Sequence, residues 1–335
     1  MRSLVFEEFG EPREVLGLQE TDEPSPAAGQ VLVRMLASPI NPSDLLTIRG
    51  GYNTLPSLPA TPGFEGVGIV ESGSGLFGGY LKGKRVAVLN GETGNWRDKT
   101  VIPARQAVPL PSGLSVEQAA MFFVNPATAF AMTRQVLAVP ANEWLLQTAA
   151  GSAVGRMIIR LGQRFGFRTI SIVRREQQAE ELRQLGTTAA IAFDADREEA
   201  SKLVEMVNTL TNNQGVRFAI DPIGGKTGSA VASCLAPAAR MLLCGTLSDA
   251  PISFHPRTII TPSASIEGFG LANWMQSLSL LAKIRLMKQI AKLIQDGTLD
   301  SNVERTFSLE EISDAVALAE AQGRSGKVLL KINDA

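Results

Sequence analysis

Two short segments carry the residue types and the spacing that suit the binding of a dinucleotide. Residues 147–155 read QTAAGSAVG, between an apolar run and a stripe of apolar residues at helical spacing. Small residues let the backbone approach a pyrophosphate, and the helix that follows offers free N–H groups and the positive end of its dipole. The turn departs from the G-x-G-x-x-G pattern. Its predicted cofactor-binding residues are Gly151, Ser152, Ala153, Val154 and Gly155.

The second segment, ISIVRR at residues 170–175, ends in Arg174 and Arg175. Arg174 follows Gly155 by about 20 residues. At this spacing an NAD-binding fold has an acid that bonds the ribose, whereas in an NADP-binding fold an arginine nearby accommodates the 2′-phosphate. A guanidinium suits the charge and the geometry of a 2′-phosphate. The pair therefore favours NADPH as the cofactor. The alternative interpretation is two solvated arginines at the end of a strand.

The composition argues against several other classes of function. The 335 residues carry 32 Lys and Arg against 33 Asp and Glu, without a dense basic run, so we expect no nucleic-acid partner. We expect no membrane segment and no secretory signal, because no apolar stretch is long enough to span a bilayer and the start lacks an apolar signal core. Two cysteines, Cys234 and Cys244, and one histidine, His255, do not readily form a zinc site. We therefore expect a cytoplasmic protein without a metal.

The order of the predicted elements indicates two domains and the α/β fold class. Residues 1 to about 120 are rich in Pro and Gly with short β-like runs, and apolar strands then alternate with helices, as in a doubly wound parallel sheet. The tail has a candidate capping box at Ser308 and Glu311 and a final strand in residues 326–332. We expect this tail to rejoin the first domain. The predicted domains are a mostly β catalytic domain, 1–122 with 272–335, and a Rossmann cofactor domain, 123–271.

Four stretches resemble the medium-chain dehydrogenase/reductase superfamily, and within it the zinc-free group of trans-2-enoyl thioester reductases. They are INPSDLLTIRGGY (Ile40–Tyr52), LPATPGFEGVGIV (Leu58–Val70), GNWRD (Gly94–Asp98) and VNPATAF (Val124–Phe130). The resemblance extends over essentially the full length and implies that the β domain is GroES-like. Phe64 stands where the zinc-dependent branch carries the His of a G-H-E motif, and a phenyl ring cannot bind a metal.

The resemblance implies that a tyrosine acts where the zinc-dependent branch uses a metal. Tyr52 would donate a hydrogen bond or a proton to the substrate as negative charge develops on it; the alternative is a loop aromatic packed at a domain edge. Asn41 and Asp44 are expected to fix the loop through turn or capping hydrogen bonds, above all Asp44, and Asn41 is also expected as a substrate contact. Trp96 is implied as a wall of the pocket, with simple packing as the alternative.

Further cofactor contacts follow from the resemblance alone. Asn125 and Thr128 are expected close to the nicotinamide and its ribose, with helix capping as the alternative. Lys327 is implied as a cofactor contact, with an exposed strand lysine as the alternative. The remaining residues of the expected cofactor site are Cys244, Gly245 and Phe269. Gly270 stands where the family often has a tryptophan, so the resemblance does not carry over the length of the substrate.

These observations predict an NADPH-dependent, zinc-independent reductase of activated C=C bonds, with 2-enoyl thioesters as the favoured substrates. The alternative is an NADPH:quinone oxidoreductase, which would share the fold and the cofactor and differ at Tyr52 and its loop. A third hypothesis, from another class, is a non-catalytic NADPH-binding sensor or structural protein. In relatives an edge strand, here near residues 265–269, pairs across a two-fold axis, so we expect a homodimer.

Overall fold

Strands dominate the first third of the chain, and strands and helices alternate after it. The computed structural model describes residues 1–52, 54–321 and 323–334. In chain order the strands are β1 (Arg2–Val5), β2 (Gly17–Glu20), β3 (Gln30–Pro39), β4 (Glu65–Gly73), β5 (Arg85–Leu89), β6 (Lys99–Pro103), β7 (Ala107–Pro109), β8 (Trp144–Gln147), β9 (Arg168–Val173), β10 (Ala189–Ala192), β11 (Val216–Asp221), β12 (Leu235–Leu243), β13 (Ser265–Gly268), β14 (Val303–Phe307) and β15 (Lys327–Lys331).

The helices follow the same change of pattern along the chain. In chain order the α-helices are α1 (Pro12–Val15), α2 (Pro42–Ile48), α3 (Gly75–Leu81), α4 (Val116–Ala120), α5 (Val124–Phe130), α6 (Ala153–Phe165), α7 (Glu176–Gln184), α8 (Ala200–Thr211), α9 (Gly225–Ala232), α10 (Arg257–Ile260), α11 (Leu271–Ser277), α12 (Leu280–Gln295) and α13 (Ile312–Glu320). A π-helix, Ala131–Val136, continues α5, and the 3₁₀-helix Leu309–Glu311 precedes α13. The predicted capping box is confirmed there, since the Ser308 N–H donates to Glu311 Oε2 at 2.8 Å.

Contacts divide the chain into two units, Met1–Val124 with Asp300–Ala335 and Asn125–Leu299. The sequence placed residues 272–335 in the first domain, whereas α11 and α12 belong to the second unit. Helix α12 is amphipathic, and its buried residues are Leu286, Ile290, Leu293 and Ile294. Helical periodicity shows which face of a helix is buried but not which sheet that face covers, and this is why the sequence could not locate the boundary.

The sheet of the first unit brings the two ends of the chain together. Its strand order is β14-β15-β3-β4-β5-β7, and β6 also pairs with β3. The last strand, β15, runs antiparallel to β3 with Leu329 opposite Pro39. Alternate residues of β3, including Val31, Val33 and Met35, are buried in one apolar cluster. This register places the start of β15 near the loop between β3 and α2.

The second unit contains a parallel sheet with the strand order β10-β9-β8-β11-β12-β13. This corresponds to the order 3-2-1-4-5-6 of Rossmann folds, in which ligands bind at the carboxyl ends of the strands where the order reverses. The predicted doubly wound parallel sheet is therefore confirmed. Strand β13 lies at one edge of the sheet, and the homodimer expected through it stays a prediction. None of the described helices is long and apolar enough to cross a membrane.

Candidate active site and cofactor-binding turn

A buried polar network in the first unit joins the ends of three elements. Asn41 precedes α2, Glu65 begins β4 and Lys327 begins β15, and these residues are 2%, 2% and 4% exposed. The Lys327 ammonium donates to Asn41 Oδ1 at 2.5 Å and to the carbonyl oxygen of Ile40 at 3.1 Å. The Asn41 amide Nδ2 donates to Glu65 Oε1 at 3.0 Å. One amide therefore bridges a buried cation and a buried anion.

The second carboxylate oxygen of Glu65 holds the backbone at the start of α5. Glu65 Oε2 accepts the N–H of Phe123 at 3.2 Å and that of Val124 at 2.8 Å. Hydrogen bonds to an ionised acceptor are about twice as strong as neutral ones, so this is a firm attachment. Glu65 lies within GFEGVG, and the sequence alone predicted no role for it. The available signal was a lone acid at the start of an otherwise apolar strand.

Tyr52 packs beside Phe64, and the Asp44 side chain on α2 bonds the backbone N–H groups of Asn41 and Phe64. The rings of Tyr52 and Phe64 lie 5.2 Å apart between centroids, at 42°. Asp44 Oδ1 accepts the Phe64 N–H at 2.9 Å, and Oδ2 accepts the Asn41 N–H at 2.7 Å. The loop-fixing role predicted for Asp44 is confirmed. The carboxylate ties the start of α2 to the residue against which the Tyr52 ring packs.

Burial dominates the electrostatics of this cluster. It raises the pKa of Asp44 to about 7, against the two backbone N–H groups that favour the ionised form. It lowers the pKa of Lys327 to about 8, against the attraction of Glu65 and Asp44, and it raises the pKa of Glu65. Burial also raises the pKa of Tyr52, and the negative charge of Asp44 adds to that effect. The phenol therefore remains protonated, and able to donate, at neutral pH.

A cavity of about 30 Å³ lies next to Asp44. Its polar lining residues include Thr47, Thr54, Asn90 and Glu92. The cavity is large enough to hold at least one water molecule.

Trp96 is a core residue of the first unit, which corrects its assignment to the wall of the pocket. Its side chain is fully buried within the apolar cluster that includes Val33 and Met35. Its ring lies against Gly63, where an added Cβ would come within 2.6 Å of the indole. Because the side chain has no exposed surface, packing is the role that the structure shows.

In the second unit, the predicted dinucleotide turn connects β8 to α6. Ser152 is the N-cap of α6, and its hydroxyl accepts the Gly155 N–H at 3.1 Å. Gly155 lies so close to the preceding turn that an added Cβ would be 2.5 Å from the Ala150 carbonyl oxygen. The N–H groups at the start of a helix lack intrahelical acceptors and point toward an anion placed there. The other residues of the turn, all partly buried, are Gly151, Ala153 and Val154.

Arg174 and Arg175 directly follow β9 and are exposed. Neither guanidinium forms an ion pair within the described ranges of the chain. The nearby acid, Glu176, pairs instead with Arg183 at 2.7 Å. Two unpaired guanidinium groups next to the turn fit the 2′-phosphate of NADPH better than a ribose hydroxyl.

The remaining predicted cofactor residues of the second unit lie at strand ends or on α5. Cys244 and Gly245 follow β12, and Phe269 follows β13, so all three lie at the carboxyl edge of the sheet. Burial raises the pKa of the Cys244 thiol to about 12. On α5, Asn125 is 8% exposed, and its Nδ2 has no hydrogen-bond partner among the described residues. Thr128 follows one turn later and is partly buried. A buried donor without a partner fits a ligand that supplies an acceptor.

Gln147, the last residue of β8, is a part of this turn that the sequence analysis missed. Its Nε2 donates to the Gly155 carbonyl oxygen and to Ser171 Oγ, both at 3.1 Å. The side chain is 1% exposed. A polar residue at the end of an apolar strand, just before the turn, was the available signal.

Comparison with known proteins gives the same two-part organisation. Residues 27–112 match the alcohol dehydrogenase GroES-like domain, and residues 153–285 match the zinc-binding dehydrogenase domain. A mitochondrial enoyl-[acyl-carrier-protein] reductase of Bos taurus is 31% identical over 304 residues, covering 89% of this chain and 80% of that protein. The chain belongs to the medium-chain dehydrogenase/reductase superfamily. It is thus an oxidoreductase, and the predicted pairing of a GroES-like domain with a Rossmann domain is confirmed.

Solved structures of the superfamily agree with this assignment. A Bacillus thuringiensis protein proposed to be an NADPH:quinone reductase is 33% identical, with a TM-score of 0.91 and coverage of 98% of both chains. The Escherichia coli quinone oxidoreductase complexed with NADPH is 26% identical, with a TM-score of 0.89 and coverage of 99% of this chain and 100% of that one. Within the described residues, no group of three or more His, Cys, Asp or Glu side chains is arranged to hold a metal.

Proposed function

We propose that this chain is an NADPH-dependent reductase of activated carbon–carbon double bonds, with 2-enoyl thioesters as the substrate class. The observation that carries the proposal is the phenol of Tyr52, which is protonated at neutral pH and whose ring packs beside Phe64, the residue whose N–H Asp44 holds. The curated relatives named enoyl-[acyl-carrier-protein] reductases support this substrate class. Phe64 supports zinc independence, because it stands where the zinc-dependent branch has a histidine.

The residues of the second unit fit NADPH. The N-terminus of α6 and the closely packed Gly155 suit a pyrophosphate, and Arg174 and Arg175 suit the 2′-phosphate. Asn125 has a buried donor available for the nicotinamide half of the cofactor. The other proposed contacts are Gly151, Ser152, Ala153, Val154, Thr128, Cys244, Gly245 and Phe269 of the second unit and Lys327 of the first.

The chemistry places one demand on the protein. When bound, NADPH supplies a hydride. In a 2-enoyl thioester the β-carbon is electrophilic, and negative charge develops on the carbonyl oxygen when that carbon is reduced. Tyr52 donates a hydrogen bond to this oxygen and serves as the source of the proton for the α-carbon. Asn41 keeps the loop in place through its bonds to Glu65 and Lys327.

Tyr52→Phe tests this proposal. With crotonyl-CoA as the substrate, we expect the turnover number for NADPH oxidation to fall by about a hundredfold or more, the usual range for the loss of a general acid. The matched control is Tyr80→Phe, which removes the other tyrosine hydroxyl from an exposed residue and should leave turnover unchanged. Unchanged turnover in Tyr52→Phe would remove Tyr52 from the chemistry. No turnover with any enoyl thioester would remove the substrate class.

Reduction of quinones is the second candidate function. It is favoured by the similarity to the Bacillus thuringiensis structure and to the Escherichia coli quinone oxidoreductase. Parallel assays with a quinone and with crotonyl-CoA separate the two, since a quinone reductase should tolerate Tyr52→Phe better. Tight NADPH binding without oxidation by either substrate would favour a non-catalytic role instead.

A further inference from the structure

Glu65 is a buried charged group that the proposed chemistry does not use. It is 2% exposed and accepts three N–H groups, from the side chain of Asn41 and from the backbones of Phe123 and Val124. A carboxylate is an acceptor only, so all three donors can be satisfied by one side chain. Glutamine at this position would present one oxygen and one NH₂, and one of the three donors would face another donor.

The network leaves Asn41 a single orientation of its amide. Its Nδ2 must face Glu65 because Glu65 can only accept, and its Oδ1 must face Lys327 because an ammonium can only donate. The same carboxylate holds Val124, and the next residue along the chain is Asn125, whose buried Nδ2 lacks a partner among the described residues. Glu65 thus bonds both to the side chain that precedes α2 and to the backbone N–H of the residue before Asn125.

We propose that Glu65 is a positioning residue that sets the placement of Asn125 for the bound dinucleotide, and that Asn41 acts as the donor that holds the Glu65 carboxylate in place. The inference rests on the proposed NADPH-dependent function and adds to it a residue that touches neither the substrate nor the cofactor. Its effect passes through hydrogen bonds with a fixed donor and acceptor sense. Exchanging the carboxylate of Glu65 and the amide of Asn41 should therefore preserve the hydrogen bonds that either single substitution breaks.

The test is an exchange of the acid and the amide. Glu65→Gln alone places two donors face to face, and Asn41→Asp alone places two carboxylates face to face. In the double variant, Glu65→Gln with Asn41→Asp, the amide and the carboxylate have changed places. The backbone N–H groups and the Lys327 ammonium then retain acceptors, and the net charge of the network is unchanged. A lost hydrogen bond to a charged group corresponds to roughly a tenfold to hundredfold change in an equilibrium constant.

The experiment measures two quantities for each variant: the dissociation constant for NADPH, from the fluorescence of the nicotinamide, and the melting temperature. We expect each single substitution to weaken NADPH binding about tenfold, and the double variant to recover to within about threefold of the unchanged protein. Glu71→Gln is the matched control, since Glu71 lies on the same strand, pairs with Lys99 at 2.9 Å and is partly exposed. It should leave binding unchanged.

Unchanged NADPH binding in Glu65→Gln would overturn the proposal. So would a loss that the double variant does not reverse although its melting temperature is normal, because that result would indicate local packing damage and not a fixed donor–acceptor sense. If Glu65→Gln fails to fold, Asn41→Asp and the double variant pose the same question. A protein that binds NADPH but reduces neither crotonyl-CoA nor a quinone would refute the proposed function and leave this test intact.

Discussion

Replacing Lys327 by methionine should change how the stability of the first unit depends on pH. Lys327 is 4% exposed, and burial lowers its pKa from 10.5 to about 8. Between these two values the unfolded chain holds a proton that the folded protein has released. Stability rises with pH wherever the unfolded state binds more protons, so the wild-type protein should gain stability over this window.

The size of the gain follows from the pKa values. One unit of pKa difference corresponds to about 1.4 kcal/mol, so the fall from 10.5 to about 8 amounts to about 3 kcal/mol. The free energy of unfolding of the wild-type protein, relative to Lys327→Met, should therefore rise by about 3 kcal/mol between pH 8 and pH 10.5. Below about pH 8 the ammonium is charged in both states, and the difference between the two proteins should be flat with respect to this group.

The assay is denaturation by urea at a series of pH values. Of the three tryptophans, Trp96 lies in the core of the first unit, while Trp144 and Trp274 lie in the second. A background of Trp144→Phe and Trp274→Phe therefore makes fluorescence report the unfolding of the first unit. The matched control is Lys331→Met, which removes an exposed lysine from the same strand and should leave the pH dependence almost unchanged.

Two results would refute this reasoning. Parallel pH curves for the wild-type protein and Lys327→Met would mean that burial does not perturb the ammonium. A relative stability that is flat up to pH 10.5 and falls above it would mean that the attraction of Glu65 and Asp44 outweighs the cost of burial, with a pKa raised above 10.5.

Two further predictions concern a glycine in a loop of the first unit and the arginine that follows β9. Gly94→Ala should lower the free energy of unfolding by about 3 kcal/mol, because φ is +70° and the new Cβ would lie 1.9 Å from the Thr61 carbonyl oxygen. Denaturation by urea measures this loss. The control is Gly91→Ala, whose Cβ would meet open space and which should have little effect. Arg174→Asp should weaken NADPH binding at least about tenfold and NADH binding much less, since only NADPH brings a 2′-phosphate against the new carboxylate; equal losses in fluorescence titrations would contradict the arginine assignment.

Local patterns were sufficient for much of the second unit. The apolar run of β8, the small residues of the turn and the stripe of α6 predicted strand, turn and helix in the right places, and Gly166 ends the helix with φ of +80° as expected. These features depend on neighbours within a few residues, which are visible in the sequence. Arg174 was located in the same way, from its spacing after the turn and its place at the end of β9.

Side-chain environments in the first unit were less accessible to the sequence. The sequence did not predict that Gly63 leaves room for the Trp96 ring. It also did not predict that Glu65 bonds the backbone at the start of α5. An isolated lysine in GKVLLKI is typical of an exposed strand position, yet Lys327 is buried. Residue type predicts average exposure, and it fails where a compensating partner comes from a distant part of the chain.

The sequence by itself determined the alternation of strands and helices, the dinucleotide turn and the two arginines, because each depends on contacts between near neighbours or on spacing along one segment. Only the tertiary structure decided that Lys327 meets Asn41, 286 residues away along the chain, and that Glu65 completes the network. The pairing of β15 with β3 brings these groups together and removes them from water. Once removed from water, a charged group must be satisfied by whichever partners the fold supplies.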